Sequence, residues 1–162
     1  MGHRIGSMNC SLMVSVATDP VLIVDTGPLV AATDRNDPYH EACAELLETD
    51  PGPLITTPLV VAETVYLISR QLGPSAEAAF YDAIITGTLI VDDLTIDNWV
   101  RVREFVDRYQ NLPLGGTDAS VITIAEHHQA TRVATLDRRH FSIVRPAHCD
   151  AFTLLPEGLA TT

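Results

Sequence analysis

The chain contains no lysine. All ten of its basic residues are arginine, set against 21 acidic ones, for a formal net charge of -11. A genome that favours arginine codons accounts for the bias. So acidic a chain is a poor general nucleic-acid coat, which needs a basic surface. It leaves room for an enzyme acting on a phosphodiester, where acids hold metal ions and a few arginines hold phosphate. Cysteine is scarce too: Cys10, Cys43 and Cys149 make an odd number with no C-x-x-C pair. That argues against a disulfide framework or a structural zinc site and suits a reducing cytoplasm. No apolar run approaches the roughly 20 residues of a membrane span. The N-terminal SLMVSVA is too short and too weakly flanked for a signal peptide. Neither G-x-x-x-x-G-K-[ST] nor G-x-G-x-x-G occurs, so P-loop and Rossmann nucleotide binding have no support.

What is present is an ordinary globular composition, 46% hydrophobic and 19% charged over 162 residues. This length fits one domain with a proper core. Residues 1–19 read as a poorly ordered leader, its MGHRIGS opening resembling a cloning remnant, with Met8 and Met13 as alternative starts. Residues 20–156 read as the single domain and 157–162 as a tail. Val21–Asp25 is expected to be a buried strand, short and β-branched. Gly27–Thr33 reads as a short helix, and Pro38 is positioned to open the next one. PLITT is a second strand, followed by a helix from Pro58 to Gln71 that Gly73 and Pro74 end. SAEAAFYDAIITG is a helix, TLIVD a strand, and Thr95 a cap for TIDNWVRVREFVDRY, with Ile96, Trp99, Val100 and Val102 or Arg103 on successive turns. TDASVITIAEHHQ reads as a helix, RVATL as a strand and AFTLL as a terminal strand. Strands alternating with helices predict an α/β fold, three layers with a mainly parallel central sheet. In such sheets ligands bind beyond the carboxyl ends of the strands.

Four acids stand in apolar surroundings. Asp25 is the only charged residue from Val21 to Thr33, and Glu63 the only one from Leu54 to Ser69. Asp118 is alone from Leu112 to Ala125, and Asp137 directly follows RVATL. A carboxylate on an apolar segment is costly to desolvate unless its charge is compensated. Each acid taken singly has an ordinary reading, as a helix cap or an arginine partner. Together they fit one spot: Asp25 and Asp137 at strand ends, Asp118 in the first turn of a helix, Glu63 about five residues into another. Clustered carboxylates repel one another, so such a group calls for a divalent cation. Oxygen-only ligands favour Mg²⁺ or Mn²⁺ over zinc. The chemistry this serves best is phosphoryl transfer.

VLIVDTGPLVAAT, TTPLVVAETVYLI and GTDASVITIAEHHQATRVATLDRRHF, in this order, resemble the PIN-domain ribonucleases, specifically VapC-type toxins of bacterial toxin–antitoxin modules. The resemblance runs from Val21 to Leu155. It implies a PIN-like α/β/α fold and an endoribonuclease dependent on Mg²⁺ or Mn²⁺ that leaves a 5′-phosphate and a 3′-hydroxyl. The family's acidic ligands fall on Asp25, Glu63, Asp118 and Asp137, with Asp137 serving a second metal or orienting the nucleophile. Thr26 and Thr135 match its supporting hydroxyls, and Arg138 and Arg139 are candidates for phosphate contacts. Implied partners are a VapB-type antitoxin with a basic tail, a structured transfer or ribosomal RNA, and a second copy in a homodimer. The implied location is the cytoplasm.

Other features read as ordinary. Asp92 and Asp93 end what looks like an edge strand, His127 and His128 suit a helix C-terminus, and His140 is expected to pack a turn. A receiver-type phosphoacceptor domain also begins V-L-I-V-D but needs a lysine, and a haloacid-dehalogenase-like phosphatase wants an acid where Gly27 stands. Two alternatives stay open within the fold: a PIN-like nuclease of RNA processing, and a non-catalytic PIN interaction module.

Overall fold

Short apolar runs form a sheet of five three-residue strands in the computed structural model, which describes residues 20–158. They are β1 (Leu22–Val24), β2 (Leu54–Thr56), β3 (Leu89–Val91), β4 (Arg132–Ala134) and β5 (Thr153–Leu155). Every neighbouring pair is parallel, in the order β3-β2-β1-β4-β5. β1 lies at the centre, with Leu22 opposite Leu54 on one side and Arg132 on the other. Parallel neighbours need crossovers, and helices supply them. These are α1 (Thr26–Thr33), α2 (His40–Thr49), α3 (Pro58–Gln71), α4 (Pro74–Ile85), α5 (Ile96–Arg108), α6 (Gly116–His127) and α7 (Arg138–Ile143). Crossovers run outward from β1 to β3 and then back to β4 on its far side, and connections of the usual right hand place helices on both faces. The result is the expected three-layer α/β/α arrangement. The expected leader, 1–19, and the end of the 157–162 tail lie outside the described residues.

Local chemistry explains where the elements begin. Thr57 caps α3 by accepting a hydrogen bond from the Val60 amide, and Pro58 occupies the first turn, where its missing N–H is no loss. Thr95 and Asn98 form a reciprocal capping box at the start of α5. α6 is buried from Ala119 through Ala125, as its apolar sequence on every face requires. It packs beside β1, whose three residues are wholly buried. Among the described residues, no helix is long and apolar enough to cross a membrane. Cys43 and Cys149 are both free thiols.

Two expectations need correction. The helix expected from Pro38 begins at His40, because the Asp37 carboxylate holds the Tyr39 amide in a turn. The stretch after Asp137, expected to be a turn, is the helix α7, which Asp137 caps through the His140 amide. In α5, Ile96, Trp99 and Val100 of the stripe face outward, while Asn98, Val102 and Phe105 face the core.

Candidate active site

The strand order reverses at β1. Consecutive units run outward from β1 to β3, whereas β4 lies on the opposite side. Beyond the carboxyl ends of β1 and β4 the helices diverge, which is where parallel sheets open a crevice. Asp25 immediately follows β1, and Asp137 follows β4 after Thr135 and Leu136. α1 leaves so close to the β4 loop that a Cβ on Gly27 would stand 3.1 Å from the Leu136 side chain. A cleft of about 410 Å³ lies there, lined by Asp25, Glu63, Asp118 and Asp137 together with Thr26, Arg138 and Arg139. The four acids, spread over more than a hundred residues of chain, share one cavity.

Asp25 is at its floor, 6% exposed. One carboxylate oxygen accepts the Thr26 amide at 2.7 Å, and the other accepts the Thr135 hydroxyl at 2.7 Å. Thr26 turns its own hydroxyl to Glu63, donating to Oε2 at 2.8 Å. Thr135 Oγ1 also accepts the Asp137 amide at 3.0 Å. Each threonine thus bonds two of the acidic positions, and together they fix the spacing of Asp25, Glu63 and Asp137. The fourth position is tied in one layer down. Ser120 of α6 donates to the Thr117 carbonyl, so the 2.8 Å contact between Thr57 and Ser120 is a bond donated by Thr57. This joins the start of α3 to the first turns of α6, and so Glu63 to Asp118.

Burial dominates the electrostatics. Loss of solvent pushes the Asp25 carboxyl up to about 7, against the bonds from Thr135 and Thr26, and the charges of Asp118 and Glu63 push the same way. Asp118 is also raised, first by desolvation, then with His140 lowering it and Asp137 raising it. Among the described residues no arginine forms an ion pair with any of the four acids. Acids this close, with so little compensating charge, are a ready seat for a hard divalent cation.

The arginines part company. Arg138 binds the carbonyls of Leu154 (3.3 Å) and Pro156, at and just beyond β5. Its guanidinium therefore ties α7 to the sheet edge. Arg139 is exposed at the rim of the cleft. The residue that sequence reading missed is His140. Its Nδ1 lies 2.7 Å from Asp137 Oδ2 and 3.3 Å from Asp118 Oδ2. Asp137 and His140 stand three residues apart, a spacing that shares a helix face. The pairing was hidden because a six-residue helix carries too little periodicity to be read.

The PIN domain family matches residues 22–145. Ribonuclease VapC26 of Mycobacterium tuberculosis is 32% identical over 135 residues, which is 83% of this chain and all of that protein. Among solved structures, VapC20 of Mycobacterium tuberculosis, a toxin that cleaves the sarcin–ricin loop, is similar with a TM-score of 0.65 at 21% identity. That match covers 69% of this chain and 86% of the other. VapBC2 of Rickettsia felis, bound to a DNA fragment from its promoter, matches with a TM-score of 0.58 at 18% identity, over 83% and 96% of the two chains. Those two likenesses show the fold; the family match and the 32% relative carry the assignment. This chain belongs to the PIN-domain family, among its VapC-type ribonucleases.

Proposed function

We propose that this protein is the toxin of a VapBC-type module, a Mg²⁺- or Mn²⁺-dependent endoribonuclease that inhibits growth by cutting a structured transfer or ribosomal RNA. The observation that carries the metal reading is Asp25: buried, raised to about 7 and, among the described residues, unpaired with any arginine, it shares one cleft with three further carboxylates. Asp25, Glu63 and Asp118 would hold the cation, which when bound activates water and neutralises charge on the scissile phosphate. Thr26 and Thr135 keep the carboxylates spaced and oriented for it. Asp137 lines the same cleft and serves a second cation or orients the attacking water. Arg139, at the rim, contacts RNA phosphate. Cleavage leaves a 5′-phosphate and a 3′-hydroxyl.

The partner is a VapB-type antitoxin whose basic tail reaches among the acids, a fit that the net charge of -11 favours. The outward apolar stripe of α5, with Trp99 45% and Val100 52% exposed, supports a homodimer. Toxin and antitoxin act in the cytoplasm.

Cleavage of total RNA with Mg²⁺, with chelator, and by Asp25→Asn tests the catalytic reading. Losing several kcal/mol of charge stabilisation lowers the rate by about 10²–10³-fold. Undiminished cleavage by Asp25→Asn would overturn the nuclease assignment. A gene neighbourhood without a short antitoxin reading frame would remove the toxin role and leave the nuclease.

A further inference from the structure

Among the described residues, two groups of histidine and carboxylate place their donor atoms within 4.8 Å of one another: Asp92 with His127 and His128, and Asp118 with Asp137 and His140. In the first, His128 Nε2 meets Asp92 Oδ2 at 2.7 Å in an ordinary hydrogen bond, and His127 is exposed. That group is satisfied as it stands.

The second is different. His140 Nδ1 is buried yet makes no hydrogen bond, although carboxylate oxygens lie 2.7 and 3.3 Å away. Both oxygens lie off the axis along which a ring N–H donates, so proximity does not become a bond. The nitrogen and one oxygen from each carboxylate lie within 4.8 Å of one another. Adjacent ligands of an octahedral ion with bonds of 2.0–2.1 Å stand about 2.9 Å apart. The two observed separations bracket that spacing. Asp137 is held in this attitude by the His140 amide, which donates to its other oxygen at 3.0 Å. The Asp137 amide is held in turn by Thr135.

We propose that His140 is a nitrogen ligand, completing with Asp118 and Asp137 a mixed nitrogen–oxygen cation position. This rests on the proposed metal dependence and specifies its chemistry. Asp118 is then shared between an all-oxygen position with Asp25 and Glu63 and a nitrogen-bearing one with Asp137 and His140. Imidazole is a poor ligand for Mg²⁺ and a better one for transition ions. The second position therefore selects Mn²⁺ over Mg²⁺, while the first accepts either.

The test is pulsed electron paramagnetic resonance of the Mn²⁺-loaded full chain, carried in a His127→Ala/His128→Ala background so that the other histidine group contributes nothing. Directly ligated imidazole gives a nitrogen modulation on the Mn²⁺ signal, and a histidine that merely orients carboxylates does not. The modulation is expected in this background and lost on adding His140→Ala. Mn²⁺ affinity at the second position falls about tenfold in that variant, and Mg²⁺ affinity changes less than about twofold. Bound Mn²⁺ without nitrogen modulation would overturn the proposal and leave the metal-dependent nuclease standing. Absence of any bound Mn²⁺ would overturn both. The spectrum of the His140-bearing protein decides the matter even if His140→Ala folds poorly, and His140→Gln, which keeps bulk and polarity, repeats the comparison.

Discussion

Two buried carboxylates at element ends have opposite surroundings. Asp50, at the end of α2, has a side chain only 2% exposed and is gripped by Arg132: one guanidinium nitrogen lies 3.1 Å from Oδ1, and the other binds Oδ2. The Gly52 amide adds a third bond at 3.0 Å. Asp25 is about as deeply buried but receives only an amide and a hydroxyl. Asp50 carries its counter-charge within the fold and locks β4 to the α2 end. Asp25 has no such partner among the described residues, and the proposed metal would supply its counter-charge. Burial alone did not separate a structural acid from a proposed metal ligand; the missing cation did.

The largest effect tests the paired member. Asp50→Asn strands the Arg132 guanidinium and costs about 3–5 kcal/mol of stability, read by urea unfolding, with RNA cleavage per folded molecule unchanged. The matching change at the other site has the opposite sign. In metal-free protein at pH 8, Asp25→Asn removes a charge the fold disfavours and raises stability, with an upper bound of roughly 4 kcal/mol set by the raised carboxyl. The native Asp25 holds its proton up to about 7, well above the ordinary 3.8, so folded protein binds more protons than unfolded across that window. Metal-free stability is accordingly greatest at the acid side of the window and is lost as pH rises through about 7. Equal losses in both variants would erase the distinction.

Thr135→Val removes the hydroxyl that binds both Asp25 and the Asp137 amide. A drop in Mg²⁺ affinity of about 10–100-fold is expected by titration calorimetry, larger than its cost in stability. Since a proton and the cation compete for Asp25, Mg²⁺ affinity also falls about tenfold per pH unit below 7. The smallest effect separates the adjacent arginines. Arg139→Ala weakens RNA binding uniformly and lowers the salt slope by about one. Arg138→Ala, which unties α7 from Leu154 and Pro156, acts first on the melting temperature.

The elements were largely readable because their signals are local. Pro58, Thr95 and the alternation of apolar runs with Gly and Pro mark boundaries that neighbouring residues enforce, and α3 spans the expected Pro58–Gln71. In α5, periodicity shows an apolar face without showing which of its residues meet the core; Val102 and Phe105 do, while Trp99 and Val100 do not. α7 went unread because six residues hold less than two turns.

The sequence by itself determined that four acids would stand in apolar surroundings, and that strands alternating with helices would set their positions. Their type and spacing are covalent facts, and desolvation makes an isolated carboxylate conspicuous. Only the tertiary structure decided their company. It placed β4 beside β1, brought Thr135 to Asp25, turned Arg138 away to β5 and carried His140 in between Asp118 and Asp137. Those relations depend on packing between segments distant in the chain, and no local preference encodes them.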